Sequence, residues 1–210
     1  MPLELQPATE ADARRSADIE AAAYAPDPFN KILFPGPFPL NVLDGRASLL
    51  VAELKADPTT RWLKVVDTDL PDAEQMIAFA KFHIYPEKPQ LTPRAFGSGC
   101  NAEACEMVFG GLMKQRVRIM EDRPYVYLSL LHTDPKRQGR GAGGMLVRRI
   151  IEEAQKLGLV VYLSASPAGH ELYKKCGFRD VETLSINMSK WGATGNFINW
   201  SMIWEPSEAV

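Results

Sequence analysis

Residues Tyr125 to Phe178 read YVYLSLLHTDPKRQGRGAGGMLVRRIIEEAQKLGLVVYLSASPAGHELYKKCGF. The opening run, Tyr125 to Leu131, is apolar, β-branched and aromatic, with the length and composition of a strand. An Asp134-Pro135 turn leads into Gln138-Gly-Arg-Gly-Ala-Gly-Gly144, and directly behind it Met145, Leu146, Val147, Ile150, Ile151, Ala154 and Leu157 recur at helical spacing. Gly158 stands where a helix C-terminus takes a residue that accepts left-handed backbone angles. The stretch is therefore a strand, a glycine loop and the helix that the loop opens, followed by a second strand from Val160 to Ser164.

A loop with four glycines lets the backbone approach a ligand closely and turns several N–H groups toward one anion at the positive end of a helix. Lys136, Arg137 and Arg140 add positive charge there, as a polyphosphate requires. A plain tight turn into a buried helix would need a single glycine. Two phosphate chemistries compete. Gly139-x-Gly141-x-x-Gly144 matches the dinucleotide fingerprint, but that motif calls for an acidic residue about 20 positions on to hold a ribose. Tyr162 to Ser166 contains none.

The same loop also reads Gln138-x-x-Gly141-x-Gly143, and with its surroundings it resembles the Gcn5-related N-acetyltransferases (GNAT), whose signature is Q/R-x-x-G-x-G/A between a strand and a helix. Leu172-Tyr173-Lys-Lys-Cys-Gly177-Phe178 is similar to that family's L-Y-x-x-x-G-F segment. The resemblance implies an α/β (α+β) fold: a central mixed, mostly antiparallel sheet of about seven strands, splayed between the fourth and fifth and flanked by helices. It implies acetyl-coenzyme A as cosubstrate. The pyrophosphate would lie on the backbone of Gln138, Gly139, Arg140, Gly141, Ala142 and Gly143, and the pantetheine arm on the free backbone groups of Leu131 and Thr133. Tyr173 matches the tyrosine whose hydroxyl lies near the thioester sulfur. Ser166 falls where many members have a cofactor-contacting asparagine; a serine keeps the hydrogen-bonding capacity but reaches less far.

Length and composition fit this picture. The chain has 210 residues, 46% of them hydrophobic, enough for one domain with a substantial core. We expect a single domain over residues 1–210, with the cofactor-binding core at about 125–178 and a helical insertion at about 86–124. The formal net charge of −2 and a pI near 6.0 leave no electrostatic footprint for nucleic acid. No apolar run is long enough to span a bilayer, and the N-terminus lacks a secretion-signal pattern, so a cytoplasmic monomer or homodimer is expected. Cys100, Cys105 and Cys176 cannot all pair within one chain, and without Cys or His spacing of the ligating kind no metal site is expected. Cys176, beside Gly177, reads as a packing residue.

Elsewhere, Leu3 to Pro7 reads as a strand and Thr9-Glu-Ala-Asp12 as the cap of a helix over Ala13 to Tyr24. Five prolines between Pro26 and Pro39 predict a loop whose Phe29, Ile32, Phe34 and Phe38 either line a substrate pocket or pin the loop to the core. A helix from about Leu43 to Lys55 precedes a hairpin of Arg61–Val66 and Met76–Tyr85. Asn101 to Met120 has helical spacing, and Val181–Met188 with Ile198–Trp204 reads as a closing antiparallel pair.

Acetyl transfer from a thioester requires a neutral amine, a polarised carbonyl and a proton for the departing thiolate. Tyr173 suits the last of these. Tyr127 and Ser129 occupy the positions where some relatives place a glutamate or histidine, and neither is a base at neutral pH. The base is then Glu103, Glu106, His83 or water. The expected function is acetyl-coenzyme A dependent N-acetylation by direct attack of a primary amine, of a small molecule before a protein or peptide, with a non-catalytic acyl-coenzyme A sensor as the alternative.

Overall fold

The computed structural model describes residues 3–92 and 94–207. Seven strands form one sheet in the order β1-β2-β3-β4-β5-β7-β6, namely β1 (Leu3–Pro7), β2 (Thr60–Asp67), β3 (Met76–Tyr85), β4 (Tyr125–Thr133), β5 (Val160–Ala165), β6 (Arg179–Asn187) and β7 (Asn196–Trp204). Every pairing is antiparallel except β4 with β5. The helices are α1 (Ala13–Tyr24), α2 (Asn30–Leu33), α3 (Val42–Ala56), α4 (Ala102–Cys105), α5 (Gly111–Met120), α6 (Ala142–Leu157) and α7 (Pro167–Lys175). The expected strands and longer helices are all present. Two features are not in the sequence reading. α2 is a single turn inside the proline-rich segment, and Glu106–Gly110 forms a π turn that joins α4 to α5.

Strand periodicity sorts the core onto two faces. Val126 and Leu128 of β4, with Leu63, Val65, Val161 and Leu163, pack against Leu146, Val147, Ile150 and Ala154 of α6 and Tyr173 of α7. Leu146 and Ile150 are at most 1% exposed, and burying a side chain of that size contributes about 1.5–3 kcal/mol. On the opposite face Trp62 and Phe79 pack under α1 and α3, while Tyr125 and Tyr162 pack under Met120 of α5. Between those two groups the same face of β3 and β4 carries His83 opposite Tyr127.

The sheet opens where the site lies. β4 and β5 pair from Tyr125 with Val160 to Leu128 with Leu163 and then part. Directly after that last pair the β3–β4 register shifts across Ser129, whose Oγ donates to the carbonyl of Lys81 at 3.0 Å. A bulge of this kind bends its strand. The Asp134 N–H donates to Ile77 of β3 at 2.8 Å, and alternation along a strand then turns the backbone groups of Thr133 and Leu131 away from β3, toward the gap. The aromatics of the proline-rich segment pin it in place. Phe29 meets Phe197 edge-on at 5.7 Å and Phe34 lies 6.2 Å from Phe109, although Phe38 remains 43% exposed. No helix among the described residues is long and apolar enough to cross a membrane.

Candidate active site

The candidate site has two halves. The first is the glycine loop. Gly139 and Gly141 have φ of 76° and 88°, the left-handed region open mainly to glycine, and no atom lies within 4 Å of where a Cβ would stand at either. Gly141 caps α6, its carbonyl accepting the Met145 N–H at 3.0 Å. At Gly143 a Cβ would meet Leu172 at 3.1 Å and the Thr133 hydroxyl at 3.8 Å, so this glycine lets the loop lie close to β4 and α7. The Gln138 side chain folds back to donate to the Thr133 carbonyl at 3.3 Å. Asp134 anchors the turn, accepting the Lys136 N–H at 3.0 Å and the Arg15 guanidinium at 2.7 Å.

The cations expected around the loop are only partly available. Arg140 lies 2.7 Å from Asp67 at the end of β2 and Arg137 3.8 Å from Glu74 in the β2–β3 connection. What the loop offers a phosphate is therefore chiefly backbone N–H and the end of α6, with Lys136 exposed beside it.

Tyr173 of α7 belongs to the core cluster of Val126 and Leu128, 7% exposed, its ring edge-on to Phe178 at 5.8 Å. Gly169 makes room for it, because a Cβ there would stand 2.9 Å from the tyrosine ring. Burial pushes the phenol pKa up, with Tyr24 at the end of α1 acting in the same direction. The hydroxyl thus keeps its proton across the neutral range and serves as a donor. Ser166 caps α7 through its carbonyl, which accepts from Gly169 and His170 at 3.0 Å; its side chain makes no capping bond. Burial likewise raises the Cys176 thiol pKa, which leaves it unreactive as well as packed.

The second half is on the face of β3 and β4 that carries His83 and Tyr127. His83 Nδ1 is 3.1 Å from Asp57 Oδ2, and the other oxygen of Asp57 accepts from the Thr59 N–H and hydroxyl at 2.8 and 2.7 Å. The imidazole stacks between Tyr85 at 5.4 Å and Tyr127 at 6.0 Å. Burial, together with the Lys81 charge, presses its pKa down to about 4 even though Asp57 opposes the shift. His83 is accordingly neutral near pH 7, with Asp57 holding a proton on Nδ1 and Nε2 left as the acceptor.

The sequence model of the Acetyltransferase (GNAT) family matches residues 36–178. The chain belongs to this family. Solved structures agree on the fold. The Corynebacterium glutamicum protein described as histone acetyltransferase HPA2 and related acetyltransferase is 18% identical with a TM-score of 0.65, over 100% of this chain and 99% of that one. Mosquito arylalkylamine N-acetyltransferase like 5b is 12% identical with a TM-score of 0.65, over 97% and 100%. The C-terminal condensation domain of Ebony, solved with beta-alanyl-dopamine, is 12% identical with a TM-score of 0.70, over 98% and 99%. No curated protein matches the chain.

Within this GNAT chain the three base candidates are far from equivalent. Glu103 is exposed and paired with Lys190 on the loop before β7. Glu106 also has an exposed side chain, lying over Gly110 in the π turn. His83 alone is half-buried, oriented by a carboxylate and stacked on Tyr127. Two residues of this constellation escaped the sequence reading. Asp57 had a local signal, since Asp57-Pro58-Thr59 is a helix-ending turn motif, but its partner is 26 positions away. Arg116, whose guanidinium sits 3.9 Å over the Tyr127 ring, had none.

Proposed function

We propose that this GNAT acyltransferase transfers acetyl from acetyl-coenzyme A to the primary amine of a small molecule, with His83 as general base and Tyr173 as hydrogen-bond donor to the leaving sulfur. The observation that carries the reading is the parting of β4 from β5 after Leu128 and Leu163, which turns the backbone groups of Leu131 and Thr133 toward the glycine loop. The residues present fit the cosubstrate. Positive-φ glycines with open space beside them suit a pyrophosphate, and an unpaired stretch of strand suits an amide-bearing arm.

Bound acetyl-coenzyme A would supply an activated acetyl thioester whose carbonyl carbon bonds to the amine nitrogen as its bond to sulfur breaks. Leu131 and Thr133 would hold the arm by backbone hydrogen bonds, and the N–H groups from Gly139 to Gly143 would hold the phosphates, with Gln138 bracing the loop against β4. Arg140, committed to Asp67, would contribute its backbone alone. Asp57 fixes the ring of His83 so that Nε2 can take the proton the amine loses. Tyr173, kept protonated by burial, would stabilise the departing thiolate by donating a hydrogen bond rather than by full proton transfer. Ser166 caps a helix in this account and is left without a cofactor contact.

The test is calorimetric titration with acetyl-coenzyme A followed by thiol release across a panel of primary amines. Saturable binding and turnover with at least one small amine are expected. Binding without turnover of any amine would make the protein the acyl-coenzyme A sensor instead.

A further inference from the structure

We infer that the acceptor bears a carboxylate and an apolar group about the size of a benzene ring, and that it binds in the cavity between Tyr127 and the π turn. This inference rests on the acetyl-transfer reading above and extends it to the substrate class.

The cavity measures about 190 Å³ and is walled by Phe96, Phe109 and Tyr127, with Arg94, Arg116 and Glu106 as its charged lining. A void of about 150 Å³ lined by apolar side chains already admits benzene, so a ring with a short polar substituent is the scale that fits. The π turn builds this wall. Its extra residue per turn carries Glu106, Phe109 and Gly110 to the cavity side, and Gly110 has no side chain to fill the space that the Glu106 carboxylate occupies.

Arg116 decides the charge of the ligand. Three other partly buried arginines, Arg15, Arg46 and Arg140, each have a carboxylate at 2.7 to 2.8 Å. Arg116 has no ion pair among the described residues; it lies on the Tyr127 ring, and its buried Nε has no hydrogen-bond partner. A guanidinium held 3.9 Å over an aromatic ring, with an unpartnered Nε–H and no carboxylate of its own, suits a planar anion such as a carboxylate. Arg94 adds a second cation, 4.7 Å above the Phe109 ring. Two guanidiniums against the Glu106 carboxylate leave the cavity net positive, as an anionic ligand requires.

The position also suits the chemistry. Tyr127 is a shared wall, lying under Arg116 and against His83. A ligand anchored by its carboxylate on Arg116 therefore lies on the same tyrosine that His83 stacks against. The Arg116 charge is also among those that hold the His83 pKa down, so neutralising it on binding makes His83 a better base when the acceptor is in place.

The test compares two ligands that differ only in the carboxylate, N-acetyl-L-phenylalanine and N-acetylphenethylamine, by calorimetry on the wild-type protein and on Arg116→Met. The acid should bind the wild type at least tenfold more tightly, and the preference should fall to within about threefold in the variant. Equal binding of the two to the wild type, a comparison that needs no variant to fold, would overturn the inference, as would a preference that survives in a folded Arg116→Met. Thiol release with phenylalanine and phenethylamine separates the two readings. A carboxylate preference in binding with neither amine acetylated leaves the site standing and counts against acetyl transfer, which the amine panel decides; equal acetylation of both amines keeps acetyl transfer and removes the site.

Discussion

Replacing Gly141 by alanine would separate a backbone cost from a ligand cost, because the same helix carries a matched control at its other end. Gly141 (φ 88°) precedes α6 and Gly158 (φ 65°) follows it, and neither has an atom within 4 Å of a prospective Cβ. Alanine at either position should cost about 1–2 kcal/mol for the left-handed backbone, which in a chain of this size lowers Tm by about 2–4 °C for each kcal/mol. The two variants should therefore look alike by thermal unfolding. They should differ toward coenzyme A. At Gly141 the added methyl group occupies the open space through which a phosphate would reach the loop, and losing one hydrogen bond to a charged group costs about 1.5–3 kcal/mol, or about ten- to a hundredfold in Kd. Gly158 lies at the far end of the helix and its variant should bind as the wild type does. Calorimetry with coenzyme A on both proteins is the assay. Equal, undiminished affinity in the two variants would refute the cradle.

Tyr173→Phe should lower kcat by about a hundredfold while leaving the Kd for acetyl-coenzyme A unchanged within threefold, since only a donor used during departure of the thiolate is lost; single-turnover thiol release measures this. His83→Gln should lower kcat/KM by about a hundredfold or more, to be read in the same assay with the amine held fixed. Asp57→Asn should move the His83 pKa further below its value of about 4, because the Asp57 charge is what raises it, and an NMR titration of the imidazole would show the direction. His132 is 4% exposed with its pKa pressed by burial to about 4 from 6.5. The unfolded chain therefore binds the extra proton first, so the folded state keeps its full stability above about pH 6.5 and should lose about 2–3 kcal/mol by pH 4.5. Denaturant titrations at the two pH values should show a smaller loss in His132→Gln than in the wild type.

The half of the site proposed to bind the cosubstrate has a fold legible in the sequence because its signals are local. Gly141 and Gly158 mark the ends of α6, and the run from Tyr125 marks β4, by rules that act over a few residues. Local rules also explain one omission: Asp27-Pro28 is a helix-start signal, and Asp27 accepts the Phe29 N–H at 2.9 Å just ahead of α2, yet the surrounding prolines made the segment read as loop. The π turn left no trace, since one added residue barely alters apolar spacing across Met107, Val108 and Leu112. The acceptor half was illegible for a different reason. His83 meets Asp57 from 26 positions away, and Arg116 of α5 meets Tyr127 of β4 only because the helix folds back on the strand that follows it. The sequence reading could name His83 as a base candidate by type, but only the fold distinguishes it from Glu103 and Glu106.

The backbone cradle between β4 and the glycine loop is the claim on which the rest depends, and amide chemical shifts of the 15N-labelled protein titrated with acetyl-coenzyme A test it most directly. The largest shifts should fall on Leu131, Thr133 and the amides from Gly139 to Gly143, with β1 and β6 unmoved. Saturating shifts confined to other parts of the sheet, or none at millimolar ligand, would contradict it.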